Sequence, residues 1–420
     1  MTRLRAVLLA VALLGPATMA QADVVLKWNE LAIKTMVQQG QSPFGQARVA
    51  AIVQLAVFEA VNAITGEYEP YIGITAPAGA SVDAAAATAA YKVLKALFPN
   101  APDIDQAYAD SLAAIPSGLA KTSGIDVGNA AAKAMIDNRT NDGSSPPQTS
   151  PVGLPAPGVW QVTLPPGCAA GTTGGANYQW QHVKPFGVPD VVAFRPSPPP
   201  SLTSSEFTKD YNEVKSVGIV NSTERPQDRS DVARFYAASS PTLVFNMALR
   251  QVATAEQRST SDNARALALL NMATNDSLVA SFSAKYHYNF WRPENAIRYL
   301  SDYGNPKTTP DPAYVPFITT PCFPSYPSNH ASGSNGAAEI LRRVYGEGGH
   351  TIRLTNPFNP TVANLEFDYS TFNEVCDDVD DARVFGGIHY RFDQVAGNRL
   401  GREIATSVYK NNLRKAKNTK

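Results

Sequence analysis

Three short blocks in the last third of this 420-residue chain hold the residue types needed to grip one tetrahedral oxyanion. The first runs from Lys285 to Pro293 and contains Lys285 and Arg292. The second is Pro327-Ser328-Asn329-His330, and the third runs from Arg383 through Gly386-Gly387 and His389 to Asp393. Three cations supply charge, a hydroxyl beside the first amides of a helix supplies directed donors, and two imidazoles supply acid–base or ligand capacity. Lys285 and Arg292 are seven apart, so a continuous helix would put them on one face. Tyr286, Tyr288, Phe290 and Trp291 surround them in sequence, and cations desolvated by aromatics require partners. Ser328 reads as the N-cap of a helix over 331–343, where a bound anion gains the unsatisfied amides and the positive end of the dipole. Asp393, four residues after His389, can accept a proton from one ring nitrogen and leave the other as nucleophile or ligand. Taken singly, the blocks have plainer accounts: a solvated basic face, an ordinary helix cap, a surface His–Asp pair. Their order and spacing together outweigh those accounts. Asp276 and Glu294 are candidate partners for the cations, each equally readable as a surface acid. His287 reads as packed among aromatics, and His350 as part of a loop.

The rest of the composition limits the function class. Lys plus Arg and Asp plus Glu both number 36, so no global field recruits nucleic acid or an anionic membrane. Arg3 and Arg5 precede an apolar run over 6–14, and Ala20-Gln21-Ala22 offers small residues for cleavage. This pattern predicts a signal peptide over 1–22 and an exported protein, periplasmic or secreted. The run is too short to span a bilayer, and no other stretch reads as a span, so stable membrane insertion is not expected. Cys168, Cys322 and Cys376 allow one disulfide and one thiol, with the pairing open. The five histidines form no HExxH pattern and there is no CxxC, so a metal-cation site is not expected.

The elements that must position these residues read as all-α: a large helical protein of paired helix bundles with a long proline-rich loop excursion. A helical region over 23–145 is followed by the excursion over 146–203. A second helical region over 204–420 carries the oxyanion site and forms one compact domain with the first. Residues 47–64 are apolar on nearly every side, as in a helix buried at the centre of a bundle. Thirteen of the 32 prolines fall within 146–200, which excludes continuous helix there. Further helices are expected over 205–217, 229–237, 241–255, 262–284, 286–300, 329–345, 369–385 and 389–411.

The pattern Lys-x6-Arg-Pro, then Pro-Ser-x-His, then Arg-x5-His-x3-Asp resembles the signature shared by vanadium-dependent haloperoxidases and type 2 phosphatidic acid phosphatases. Phe290-Trp291-Arg292-Pro293, the run from Phe323 to His330, and Gly386-Gly387-Ile388-His389 resemble the haloperoxidase branch, in particular bacterial chloroperoxidase-like members. The likeness covers most of the chain beyond 22 and is sharpest over 284–404. It implies vanadate as cofactor, with phosphate able to occupy the same site. Lys285, Arg292 and Arg383 would neutralise equatorial oxygens, and Ser328 and the Asn329 amide would donate to them. His330 would be the acid–base group, His389 the vanadium ligand, and Asp393 the group holding its ring. Phe323 and Trp291 would line the substrate pocket. The implied reaction oxidises halide with hydrogen peroxide to hypohalous acid, which acts on a small organic acceptor. The alternatives are an exported acid phosphatase in which His389 attacks phosphorus, and a non-catalytic oxyanion-binding helical protein. Family members usually carry glycine where this chain has Asn329. If the backbone there needs positive φ, asparagine is the least costly substitute, with a side chain that crowds the pocket.

Overall fold

A computed structural model of the chain describes residues 23–299 and 303–417; the expected signal segment over 1–22 lies outside them. Polar caps fix where the first helices start. Asp23 accepts from the amides of Val25 and Leu26 and opens α1 (Val24–Gln38). Ser42 opens α2 (Pro43–Thr65), which Gly66 closes at φ 65°, and Ser81 opens α3 (Val82–Leu97). Helices α4 (Ile104–Ala113) and α5 (Leu119–Asn138) complete this group. Helix α2 is buried along most of its length and packs on α3 and α5, whose small side chains allow close approach. By length and composition α2 could also cross a membrane, which corrects the expectation that no such stretch follows the N-terminus; in the fold it is a core helix.

Residues 139–204 form no α-helix and contain only two 3-10 turns, Tyr178–His182 and Val192–Phe194. The excursion is packed rather than loose, with Trp160, Phe186 and Val188 buried. Helices then resume as α6 (Ser205–Val217), α7 (Gln227–Ala238), α8 (Pro241–Ala255), α9 (Thr260–Tyr288), α10 (Pro293–Arg298) and α11 (Asn329–Tyr345). A two-stranded antiparallel hairpin follows, β1 (Gly348–Thr355) and β2 (Glu366–Thr371), pairing Ile352 with Tyr369 and Leu354 with Phe367. Helices α12 (Phe372–Val384) and α13 (Arg391–Asn411) finish the fold. The protein is therefore mostly helical, and the hairpin is its one named sheet among the described residues.

Helix α9 is buried from Ala266 to Lys285 and packs against α2, α11 and α13, so it joins the two helical groups. Close packing of α13 on the start of α11 depends on Gly397. A β-carbon there would lie 2.7 Å from the Ser328 carbonyl oxygen and 2.8 Å from the Ala331 side chain. Behind this junction sits a second, aromatic core of Phe207, Tyr211, Phe290, Trp291, Tyr390 and Phe392.

One disulfide, Cys168–Cys322, ties the proline-rich excursion to the segment that leads into α11; Cys376 is a buried thiol. Closing a loop of 154 residues constrains the unfolded chain strongly. Cys322→Ser is expected to lower stability by roughly 2–5 kcal/mol in urea denaturation. An unchanged midpoint under oxidising conditions would contradict this.

Candidate active site

The three sequence blocks converge at the junction of α9, α11, α12 and α13. Lys285, fully buried in the last turn of α9, donates to the carbonyl oxygens of Pro324 (2.9 Å) and Ser325. The chain leaves α9 through Asn289 at φ 47°. Arg292 is the residue before α10, with Pro293 in that helix's first turn. The expected continuous helix over 286–300 does not form, so Lys285 and Arg292 do not share a helix face; Lys285 comes from the end of α9 and Arg292 from the extended turn that caps α10. Arg292 Nε donates to Phe323 O (2.8 Å) and Nη1 donates to Ile388 O (3.0 Å). The Phe323 ring centroid lies 5.4 Å from Lys285 Nζ and 5.0 Å from the Arg292 guanidinium carbon, within cation–π range. Arg383 comes from the last turn of α12. Gly387, at φ 81° and pressed against the Gly218 backbone, then reverses the chain so that His389 can turn back toward Arg292.

His389 Nδ1 lies 2.7 Å from Asp393 Oδ2, which also accepts from Ser325 Oγ (2.5 Å) and the Tyr390 amide (3.2 Å). That acceptor puts the imidazole proton on Nδ1. Nε2 keeps its lone pair and faces Arg292 Nη1 at 2.8 Å. Ser325 was not singled out by sequence reasoning, and only its place inside the Phe323-to-His330 run signalled it. His330, in the first turn of α11, lies on the wall of the cavity it shares with Arg383 and His389, where the Tyr236 carbonyl partly offsets the loss of its proton affinity.

Electrostatics follow from burial. Three cations face one carboxylate, and none of Lys285, Arg292 or Arg383 makes an ion pair within 4 Å among the described residues. Burial, then Arg292, holds Lys285 well below its ordinary range. Arg292 is brought down to about 10 by burial, and Arg383 to about 9 by burial and the neighbouring Arg292. Both imidazoles are held well below 6.5, chiefly by burial and then by Arg292 for His389 and Arg383 for His330. Burial pushes Asp393 up to about 6, opposed by the Ser325 hydroxyl and by Lys285. Arg292 Nη2, Arg383 Nε and Nη1, and Asn329 Nδ2 are buried without protein partners. Buried donors on excess positive charge suit a multiply charged oxyanion. The donor set does not suit a metal cation, and no cluster of metal-ligating side chains occurs among the described residues.

Ser328 caps α11 by accepting from the Ala331 amide, and its own amide donates to the Asp393 carbonyl (3.0 Å), locking α11 to α13. Asn329 opens α11 and is absent from the positive-φ residues, so the supposed need for a left-handed backbone there is corrected. Its Oδ1 accepts from Ser281 Oγ (2.6 Å) on α9, which holds the side chain at the cavity wall. Trp291 is not in the pocket: it faces the aromatic core and stacks on Phe207 at 6.4 Å. Asp276 accepts the Phe186, Gly187 and Val188 amides rather than pairing with a cation. Glu294 accepts the Leu164 amide at 3.4 Å. His287 is exposed beside Tyr288, and His350 contacts Gly346 O at 3.2 Å.

The depressed imidazoles make stability fall on acidification. The unfolded chain binds protons at its histidines below 6.5 that the native state refuses. Asp393 acts in the opposite direction between 3.8 and about 6, where only the native state holds its proton. His330→Gln is therefore expected to flatten the acid limb by up to one proton, about 1.4 kcal/mol per pH unit below pH 6.5. Urea midpoints of both proteins from pH 7 to 5 check this, and identical slopes would contradict it.

Residues 265–418, which contain all three blocks, match the family model described as the VCPO second helical-bundle domain. Over this stretch the chain is similar to vanadium-dependent chloroperoxidases. The vanadium chloroperoxidase of Curvularia inaequalis is 24% identical over 270 residues, 49% of this chain but only 44% of that protein. The chain thus matches less than half of that relative's length. Among solved structures, a bacterial vanadium-dependent iodoperoxidase superposes with a TM-score of 0.78 at 22% identity, covering 95% of this chain and 98% of that one. A holo-type bacterial vanadium-dependent chloroperoxidase gives 0.69 at 18% identity, covering 90% and 92%. At these identities the structures establish a shared fold. The VCPO match runs from Arg265 within α9 through α13 and so holds every residue of the cage, while the helices before α9 lie outside it.

Proposed function

We propose that this chain oxidises halide with hydrogen peroxide, using vanadate held in the cage, and releases hypohalous acid. The observation that carries the reading is the set of buried, unpartnered guanidinium donors around a histidine whose Nε2 lone pair is aimed inward. Bound there, vanadate would supply Lewis-acid activation of the peroxide. Lys285, Arg292 and Arg383 would carry the charge of its oxygens, and Ser328 and Asn329 would add neutral donors. Asp393 and Ser325 keep the proton on His389 Nδ1, so that Nε2 serves as ligand. His330, neutral because of its burial, can take up and return protons at the mouth of the cage. Phosphate has the shape and charge to occupy the same donors, so it should compete.

Parallel assays test the reading. Halide oxidation with vanadate and peroxide, without phosphate release from p-nitrophenyl phosphate in vanadate-free buffer, supports it. Phosphate release in place of halide oxidation would replace it with the phosphohistidine reaction, and binding without either turnover would reduce the site to an oxyanion receptor.

We also propose export. The 1–22 pattern and the Cys168–Cys322 disulfide both suit an oxidising compartment. N-terminal sequencing of the mature protein should start near Asp23; a protein retained in the cytosol with Met1 intact would contradict this.

A further inference from the structure

The cage opens into a cavity of about 680 Å³, a size that holds a drug-sized organic molecule and far exceeds one tetrahedral ion. Its walls come from the start of α2, the proline-rich excursion at Asn177, the α7–α8 junction, α9 at Leu278, the segment before α11, and the loop joining β1 to β2. Arg383, His389, His330 and Asn329 close one side. Phe44, Phe323, Leu278 and Val362 make much of the remaining surface apolar. Phe317 adds a braced aromatic wall: the guanidinium carbon of Arg225 lies 3.7 Å from its ring centroid and that of Arg234 lies 5.0 Å away. Arg225 is itself tied to the carbonyl oxygens of Val217 and Ile219.

We propose that this cavity binds an aromatic acceptor carrying a carboxylate, with its ring on Phe317 and its carboxylate at Arg234, and that halogenation takes place there on the bound ring. The inference rests on the haloperoxidase reading. Arg234 is the lining cation outside the cage, and among the described residues its ion pair is a half-exposed one with Asp231 at 3.3 Å, weak enough for a ligand carboxylate to replace. The aromatic walls favour a flat ring over an aliphatic chain. Each turnover consumes one halide, one hydrogen peroxide, one proton and one ring C–H, and yields one carbon–halogen bond and two waters. Peroxide is reduced, and the halide leaves as the formal cation that replaces the ring proton. The bound ring exposes some positions to the cage and shields others, so the isomer ratio departs from that of free reagent.

The test uses 6-hydroxy-2-naphthoate and neutral 2-naphthol. Fluorescence titration of vanadium-free protein should show saturable binding of both, with the carboxylate held about threefold to fivefold tighter. Arg234→Ala should remove that difference. With vanadate, bromide and peroxide, the brominated isomers of 6-hydroxy-2-naphthoate should differ in ratio from those made by hypobromite alone. Phe317→Ala should move the ratio toward the reagent value. Equal affinity for the two compounds, no saturable binding, or a wild-type ratio matching free hypobromite would each overturn the proposal. Triiodide formation from iodide, which needs no organic acceptor, separates the two levels. If triiodide forms while the isomer ratio equals that of the reagent, only the acceptor site falls; if triiodide does not form, the haloperoxidase reading falls first.

Discussion

His389→Ala is expected to lower vanadate-dependent halide oxidation by at least about a hundredfold while the protein still folds cooperatively. The imidazole presents its Nε2 to Arg292 Nη1 at 2.8 Å, and Lys285 and Arg383 also act on the ring. The fold should survive because Asp393 keeps Ser325 Oγ and the Tyr390 amide as donors after the ring is gone. Asp393→Asn should act more mildly, lowering vanadate affinity roughly 10–100-fold, because it disturbs the proton on Nδ1 without removing Nε2. If alanine proves too disruptive, His389→Gln asks the same question with a side chain that fills the space. Steady-state halide oxidation and far-UV circular dichroism read the two consequences. Near-normal activity in either position-389 variant would mean that His389 is not the ligand.

Arg383→Met should have opposite effects on the ligand-free and ligand-bound protein. Arg383 is buried, has two unpartnered guanidinium nitrogens, and feels only another cation, Arg292, as its main charged neighbour. Holding that charge costs stability in the absence of an anion, and an unbranched apolar side chain, though shorter than arginine, removes the cost. The variant should therefore be more stable than wild type in anion-free buffer, by an amount on the order of 1–4 kcal/mol. Saturating phosphate should stabilise wild type by mass action, about 2.7 kcal/mol at a hundred times Kd. The variant should show little of that gain. A destabilised Arg383→Met protein that still responds fully to phosphate would show that the arginine is structural.

Much of this arrangement was legible in the sequence because caps and blocks are local. Ser328 was readable as the cap of α11, and α6, α8 and α11 run as the periodicity predicts. The site blocks were readable from the types and spacings of Lys285, Arg292, Ser328, His330, Arg383, His389 and Asp393. What failed depended on single backbone states or on distant partners. The helical pattern of 286–300 concealed the left-handed Asn289 that ends α9 before Arg292. Trp291 looked like part of a pocket wall because its neighbours in sequence are site residues, but its side chain is claimed by the aromatic core with Phe207. The hairpin was missed although Ile352 and Leu354 alternate with exposed residues, since the partner strand lies beyond a loop and its Tyr369-to-Thr371 end read as the start of α12. Tyr236 could not be found from sequence at all, because it meets His330 through its carbonyl, a group every residue carries.

Diffraction from vanadate-soaked crystals at the vanadium absorption edge tests the central claim most directly. One anomalous peak is predicted, adjacent to His389 Nε2 and enclosed by Lys285, Arg292 and Arg383. A peak elsewhere, or none at a vanadate concentration that supports halide oxidation, would contradict the account.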